Sequence, residues 1–303
     1  MELNSSQLFF VHCLSPVHIG TGEGVGLIDM PIMRERVTKW PLIPGSTTKG
    51  VHRDYFVQQR DKESWIRTAF GAGKGEADAE GNAGSIVMSD ARILAFPVAS
   101  YYGTFAYVTC PMVIKRLERD MGAANVSYFS NLIEKVEGWE KKLSTNEDKA
   151  LIGHRCEVTD ENNEKIYLDE FELSVVIDGT FGELTNSLAK LVFKDDHFSQ
   201  ELLASRLVLV SDESFQYFVT QCSEITPRIR LKAEEKVVDD GALWYEEYLP
   251  TETLLYGLIW CEKMDQVKES WKRLSKGRVL QVGGNATVGR GRVRYLYTGG
   301  DYS

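Results

Sequence analysis

A chain of 303 residues with 35 Lys and Arg against 44 Asp and Glu carries a formal net charge of -9 and an isoelectric point near 5.2. That balance excludes a basic, tail-like nucleic-acid binder. Hydrophobic residues make up 43% and charged residues 26%, an ordinary globular composition that excludes bulk disorder and can bury a core without disulfide or metal staples.

Residues 7–13 (QLFFVHC) are aromatic and apolar and stop at Ser15-Pro16, which predicts an opening, largely buried strand. Residues 18–26 (HIGTGEGVG) follow, where Gly20, Gly22, Gly24 and Gly26 make a loop suited to lie against something. A turn at PLIPGS leads to a helix running to about Gln59, with Ser46 or Thr47 as its cap. A second short helix is predicted over 65–70 and a polar, poorly ordered loop over 71–84. Strands are predicted over 85–88, 92–98 and 104–109, then a charged helical stretch over 113–142, a strand over 165–176 and helices over 184–205. After a short strand at 206–210, Asp212 is placed as the cap of a helix through Thr220. Residues 226–232 and 237–248 form a projecting hairpin turning at Asp239-Asp240-Gly241.

The final third reads strand 253–261, helix 265–275, strands 279–282 and 293–297. This β-α-β-β pattern echoes the opening, which predicts an α+β fold with a ferredoxin-like or RRM-like core. The expected organisation is one domain over 1–303, its core near 5–110 and 250–303 and its middle, 111–249, a largely helical insertion.

The five cysteines, Cys13, Cys110, Cys156, Cys222 and Cys261, form no C-x-x-C pair and read as buried reduced thiols. No basic-then-apolar leader opens the chain, and no apolar run approaches the roughly 20 residues of a membrane span. A cytoplasmic protein with no membrane contact is expected.

Although the chain is acidic, residues 270–300 contain no Asp or Glu while holding Lys272, Arg273, Lys276, Arg278, Arg290, Arg292 and Arg294. Arg34, Arg36, Lys39, Lys49, His52 and Arg53 form a second basic concentration, and Arg228, Arg230 and Lys232 a third. Any one run reads as a solvated face. Two runs beside glycine-rich backbone point to a track for a polyanion. Lys49 falls in the first turn of its helix, where free N–H groups favour an anion, or it extends into solvent.

Gly73-Lys74 fails as a P-loop, because Thr68 stands at the required glycine and Gly75 at the magnesium-binding hydroxyl. The glycines of 283–291 do not spell a dinucleotide fingerprint, and neither H-E-x-x-H nor G-x-S-x-G occurs. His18 and Asp29, at the ends of the first glycine cluster, remain for chemistry. Taken singly, a loop histidine and a turn-starting aspartate are the plainer readings.

The segments IGTGEGVGLIDMPIMRE, PLIPGSTTKGVHR and LQVGGNATVGRGRVR, with CPMVIKR, SDARILAFPV and ALWYEEYLP between them, resemble the RAMP superfamily, and within it the backbone subunits of type III-B (Cmr) CRISPR ribonucleoproteins. The resemblance spans most of the chain. It implies an RRM-like core with a thumb-like hairpin, and copies stacked head to tail on a crRNA guide beside other Cmr subunits. Each copy would cut complementary single-stranded target RNA once, in antiviral defence. It implies a catalytic role for Asp29, with a divalent ion, Mg2+ or Mn2+, and a less secure one for His18. Lys49, Arg53, Arg36, Gly283, Gly284, Asn285, Arg290 and Arg292 would bind RNA, and Glu246 or Glu247 could assist. The alternatives are a non-catalytic guide-binding scaffold, with Asp29 only fastening a turn, and a metal-independent endonuclease that processes CRISPR repeat RNA.

Overall fold

The computed structural model describes residues 6–22, 28–59, 63–72, 83–144, 148–231, 238–261 and 271–298. Gly24, Gly26, Lys232, most of the polar loop after Phe70 and most of the helix expected over 265–275 lie outside the described residues.

The opening strand β1 (Ser6–Cys13) is buried on both faces along nearly its whole length, and both its edges are paired. On one side lies β12 (Leu254–Cys261), on the other β14 (Arg292–Tyr297), each antiparallel. A strand enclosed in this way reads as a continuous apolar run, as QLFFVHC does. Beyond β12 come β3 (Ile86–Met88) and β4 (Ala91–Ala99), and beyond β14 comes β13 (Arg278–Gln281). After β1 the chain enters β2 (Leu42–Ile43) and the helix α1 (Gly45–Gln58), then α2 (Glu63–Phe70). Residues 271–274, just ahead of β13, are helical. The sheet therefore places the last strand beside the first, the third next and the second outermost, with helices linking first to second and third to last. This is the ferredoxin-like arrangement expected from the repeated sequence pattern.

The middle of the chain extends that sheet. The second half of β4 leaves β12 and pairs with β5 (Phe105–Thr109), after which β9 (Leu207–Leu209), β6 (Lys149–Ile152), β8 (Phe171–Ile177) and β7 (Lys165–Leu168) follow in space. Five helices cover this part: α3 (Pro111–Ala123), α4 (Leu132–Leu143), α5 (Gly179–Val192), α6 (His197–Arg206) and α7 (Asp212–Gln221). One hydrophobic core runs through both halves, from Phe9, Phe10 and Tyr295 to Phe96, Tyr107, Trp139 and Phe181.

Several local expectations change. The charged stretch over 113–142 splits into α3 and α4, with a left-handed Asn131 at the start of the second helix. The strand expected over 165–176 is the hairpin β7–β8, turned at Asp169 with φ 51°. Neither Ser46 nor Thr47 caps α1; Pro44 precedes it, and the Asp90 carboxylate accepts from the Gly45 N–H at 2.8 Å. At α7 the cap is Ser211, whose hydroxyl accepts from the Ser214 N–H at 3.0 Å, and Asp212 is the first helical residue. The two-stranded hairpin β10 (Glu224–Leu231) and β11 (Val238–Tyr248) does form. Its reversal falls between Leu231 and Val238, so Asp239-Asp240-Gly241 lies within β11, where pairing steps from Ile229↔Leu243 to Leu231↔Val238. The extra residues are absorbed as a bulge.

Candidate functional site

The two glycine clusters, at opposite ends of the chain, meet at the base of the hairpin. Val17 pairs with Leu249 just past β11, with N–H to O distances of 2.9 Å in both directions. The next carbonyl, that of His18, accepts from the Gly284 N–H at 3.0 Å. Gly283 has φ 75°, and a Cβ there would stand 2.1 Å from the His18 carbonyl oxygen, so this crossing admits only glycine. Farther along, Gly291 N–H donates to Pro16 O at 2.8 Å, and Arg292 N–H to Ser15 Oγ at 2.9 Å.

The outer edge of β11 organises the chemistry. Tyr245 opposes Pro227 of β10, and a proline offers no N–H to a partner strand. The polar backbone groups of Tyr245 point the other way. Its N–H donates to Asp29 Oδ2 at 2.8 Å, and its carbonyl accepts from Met30 N–H at 3.1 Å. Two residues on, Glu247 N–H donates to Met30 O at 3.0 Å, and the Glu247 carbonyl receives His18 Nδ1–H at 2.7 Å. Asp29 and His18 thus hang from the same strand edge. Asp29 is exposed, with Oδ2 engaged, whereas His18 is buried against Tyr248 at a ring separation of 5.5 Å.

Glu246 and Glu247, adjacent in sequence, face opposite sides of β11. Both are buried. The Glu247 carboxylate takes Arg34 Nη2 at 2.5 Å, Ser223 Oγ at 2.7 Å and Ile32 N–H at 3.0 Å. Glu246 accepts from Trp244 Nε1 at 2.9 Å, Arg228 Nε at 3.1 Å, Asn285 Nδ2 at 2.9 Å and the Tyr248 hydroxyl. Burial pushes the Glu246 carboxyl upward, but donation from Tyr248, Trp244 and Arg228 prevails and holds it below the usual range. Hydrogen bonds to Tyr248 and Glu246 raise Arg228 in turn. Arg290 stacks over Tyr248 at 4.7 Å and pairs with Glu224 at 2.9 Å. The first carboxylate fastens the Asp29 segment to the hairpin, and the second fastens the C-terminal glycine loop to it. Arg228 was read from sequence only as part of a basic run, and Tyr248, Trp244 and Ser223 were not singled out as site residues, although the alternation in WYEEY already puts Trp244, Glu246 and Tyr248 on one strand face.

The basic residues divide. Arg34 is fixed by Glu247 and by the carbonyls of Lys39 and Val219, each at 2.8 Å. Arg294 pairs with Asp196 at 2.6 Å, and Arg278 stacks on Tyr55 and Phe56 at 4.8 and 4.7 Å. His52 does not belong to a basic track. It is fully buried, bonded to Thr48 O and the Tyr297 hydroxyl, and burial drives it to about 3, so it is neutral. Lys49 and Arg53 are half-buried on α1, burial lowering Lys49, and the Asp90 carboxylate occupies the helix start where an anion was expected. Arg36, Arg292, Gly283 and Gly284 are exposed, while the Asn285 amide is turned into the Glu246 network. Among the described residues no cluster of three or more His, Cys, Asp or Glu side chains is placed to hold a metal, and no helix is long and apolar enough to cross a membrane.

A profile of the RAMP superfamily matches residues 10–294. The chain is 36% identical over 295 residues to the CRISPR system Cmr endoribonuclease Cmr4 of Pyrococcus furiosus, covering 94% of this chain and 92% of that one. It is 22% identical over 300 residues to the CRISPR system CMR subunit Cmr4 of Saccharolobus solfataricus, covering 94% of both. A crystal structure of oligomeric Cmr4 from Pyrococcus furiosus superposes with a TM-score of 0.71 at 29% identity, covering 96% of this chain and 97% of that one. A cryo-EM structure of type III-B Cmr-beta bound to cognate target RNA contains a chain of the same fold, with a TM-score of 0.74 at 21% identity and 97% coverage of each. By the reach of that profile and by the 36% identity, the chain belongs to the RAMP superfamily.

Proposed function

We propose that this chain is the repeated backbone subunit of a type III-B CRISPR ribonucleoprotein, holding a crRNA guide and cutting complementary RNA through Asp29. The observation that carries this reading is the placing of one exposed carboxylate on the edge of the β10–β11 hairpin, at whose base two glycine-lined backbones converge. Exposed backbone at Gly283 and Gly284 suits close approach of a sugar-phosphate chain, recognised by shape while base pairing selects the target. Copies stack head to tail beside other subunits in the cytoplasm.

Cleavage by an RNA 2′-hydroxyl needs an in-line nucleotide, a proton acceptor and charge neutralisation at the phosphate. Among the described residues only Oδ2 of Asp29 has a hydrogen-bond partner, which leaves Oδ1 for this work. Its bond from Tyr245 holds the carboxylate in one orientation, so little is lost in ordering it when RNA arrives. One free carboxylate oxygen fits Mg2+ or Mn2+, since magnesium retains several waters and binds through one or two carboxylates together with phosphates. Such an ion would supply charge neutralisation at the phosphate. Without it, Asp29 takes the hydroxyl proton itself. His18 positions the loop rather than reacting, because its ring is buried and Nδ1 is committed to Glu247. That commitment speaks against a histidine-centred repeat-processing site. The bond from Tyr245 N–H to Asp29 does favour a second reading, a scaffold in which Asp29 only fastens the loop.

The test is a reconstituted complex given matched RNA and Mg2+. Regularly spaced fragments are expected. Asp29→Asn keeps a carbonyl acceptor for Tyr245 N–H, so assembly should persist while cutting falls by roughly 10²–10⁴-fold. Chelation should do the same if the ion is required. Unchanged cutting by the variant removes Asp29 from the mechanism, and the absence of spaced fragments from the unaltered complex leaves the scaffold.

A further inference from the structure

The loop 100–104 and strand β7, the last strand of the inserted part of the sheet, carry a cluster of three tyrosines. Tyr101 and Tyr102 meet edge to face at 5.1 Å, and each stands 6.3 Å from Tyr167. Tyr101 is 82% exposed, far more than its size and aromatic character favour. Its position is built rather than loose. Tyr101 N–H donates to Tyr167 O at 3.2 Å, Ser100 N–H to Thr104 O at 3.0 Å, and Arg206 donates into the Gly103 carbonyl. None of these contacts belongs to the site described above.

The surroundings select the occupant. Residues 157–172 hold seven carboxylates and one lysine, Lys165, which is already paired with Glu172 at 2.7 Å. Desolvation and then the Glu172 carboxylate raise the Tyr167 hydroxyl, Lys165 opposing and Asp160 adding to the rise, and Glu172 stands opposite Tyr167 across the β7–β8 pairing. A nucleic acid would also stack on aromatic rings, but the proteins that use such platforms line them with positive charge. Here the phosphates would meet carboxylates. A second copy of this chain is a poorer match, because with 44 Asp and Glu against 35 Lys and Arg it would bring more carboxylates than cations to this face. Guanidinium and ammonium groups satisfy both features, lying over tyrosine faces while paired with carboxylates.

We propose that Tyr101, Tyr102 and Tyr167, with Asp160 and Glu172 beside them, form a docking surface for a lysine- and arginine-rich segment of a different protein. The surface shares no residue with the proposed RNA site, and the test needs no RNA cleavage. The full-length chain is mixed with the pentapeptide acetyl-Lys-Lys-Arg-Lys-Lys-amide and a zero-length carbodiimide, which joins a carboxylate to an amine in contact with it by an amide bond, with loss of one water to the reagent. Coupled carboxylates are then mapped by peptide mass spectrometry. Coupling is expected to concentrate within residues 157–172 and to fall at least fivefold in Tyr101→Ala/Tyr102→Ala, which keeps every carboxylate. Tyr101→Ala alone, at an exposed position, serves if the double variant fails to fold. Coupling spread evenly over the acidic surface, or undiminished in the variant, overturns the proposal. So does coupling between two copies of the chain that the peptide fails to suppress, or protection of Tyr101 by hexauridylate.

Discussion

Arg34→Ala tests whether the hairpin and the Asp29 segment are held as one unit. The Arg34 and Glu247 side chains are only 16% and 3% exposed, so solvent screens their 2.5 Å contact weakly. Removing the guanidinium leaves a buried carboxylate with two donors, Ser223 Oγ and Ile32 N–H, and frees the carbonyls of Lys39 and Val219. Breaking one side of a buried pair costs about 3–5 kcal/mol, because the remaining charge is uncompensated. At about 2 °C per kcal/mol for a chain of this size, Tm should fall by roughly 6–10 °C. The double variant Arg34→Ala/Glu247→Gln separates charge from packing. Its glutamine still accepts from Ile32 N–H but carries no charge, so it should recover about 1–2 kcal/mol of the loss. Urea titration gives both free energies from midpoints at constant slope. A single variant costing under about 1 kcal/mol, or a double variant less stable than Arg34→Ala, refutes the argument that an uncompensated buried charge sets the cost.

At Gly283, alanine combines a left-handed φ of 75° with a Cβ placed 2.1 Å from His18 O; calorimetry should show a loss of at least about 2 kcal/mol, whereas Gly289→Ala, at φ 81° with nothing within 4 Å, should cost only about 1 kcal/mol. Equal losses at the two positions would deny the close crossing of the loops. His52 titrates at its ordinary 6.5 when unfolded and at about 3 when folded, so its contribution is present above pH 6.5 and lost as pH falls toward 3. Between pH 6 and 5, above the range of the carboxylates, stability should drop by up to about 1.4 kcal/mol per unit, and the slope should flatten in His52→Gln. A slope that is the same in both proteins would mean that His52 is not buried in its neutral form. Asp178 caps α5 by accepting from Thr180 and Phe181 N–H at 2.8 and 3.0 Å, and it also pairs with Lys142. Asp178→Ala should cost about 1–2 kcal/mol by thermal circular dichroism, and a cost below about 0.5 kcal/mol would deny the cap.

What could be read along the chain was local or repeated. The β1 run and the twofold β-α-β-β pattern are both of that kind, and they were enough for the ferredoxin-like core. The α1 cap was not readable, because Asp90 reaches Gly45 from 45 residues away and no N-cap rule looks that far. The short strand β6 escaped because four residues, KALI, show no period that separates strand from helix. At the site, the glycine clusters and Asp29 stood out by composition and by resemblance. The roles of Glu246 and Glu247 did not, since their partners Asn285 and Arg34 lie 39 and 213 residues away. The basic tally misled for a related reason. A run of arginines in sequence says nothing about which of them meet a carboxylate or a ring, and Arg34, Arg278 and Arg294 all do.

The attachment of Asp29 to the hairpin has a consequence for how RNA would be cut. Asp29 does not sit on a rigid core strand. Its carboxylate is bonded to Tyr245 N–H, and its neighbour Met30 is bonded on both sides to the same strand edge. Wherever β10–β11 is placed, the carboxylate is placed with it. If the proposed function holds, the interval between cuts in an assembly of identical copies would be set by the interval between hairpins rather than by the base sequence of the target. The Glu247 to Arg34 pair and the Glu246 to Asn285 bond tie that hairpin to the loops beneath it from both faces. Loosening either tie should therefore blur the spacing of the fragments before it abolishes their formation. Asp29→Asn should instead remove the fragments with no change in spacing among those that remain.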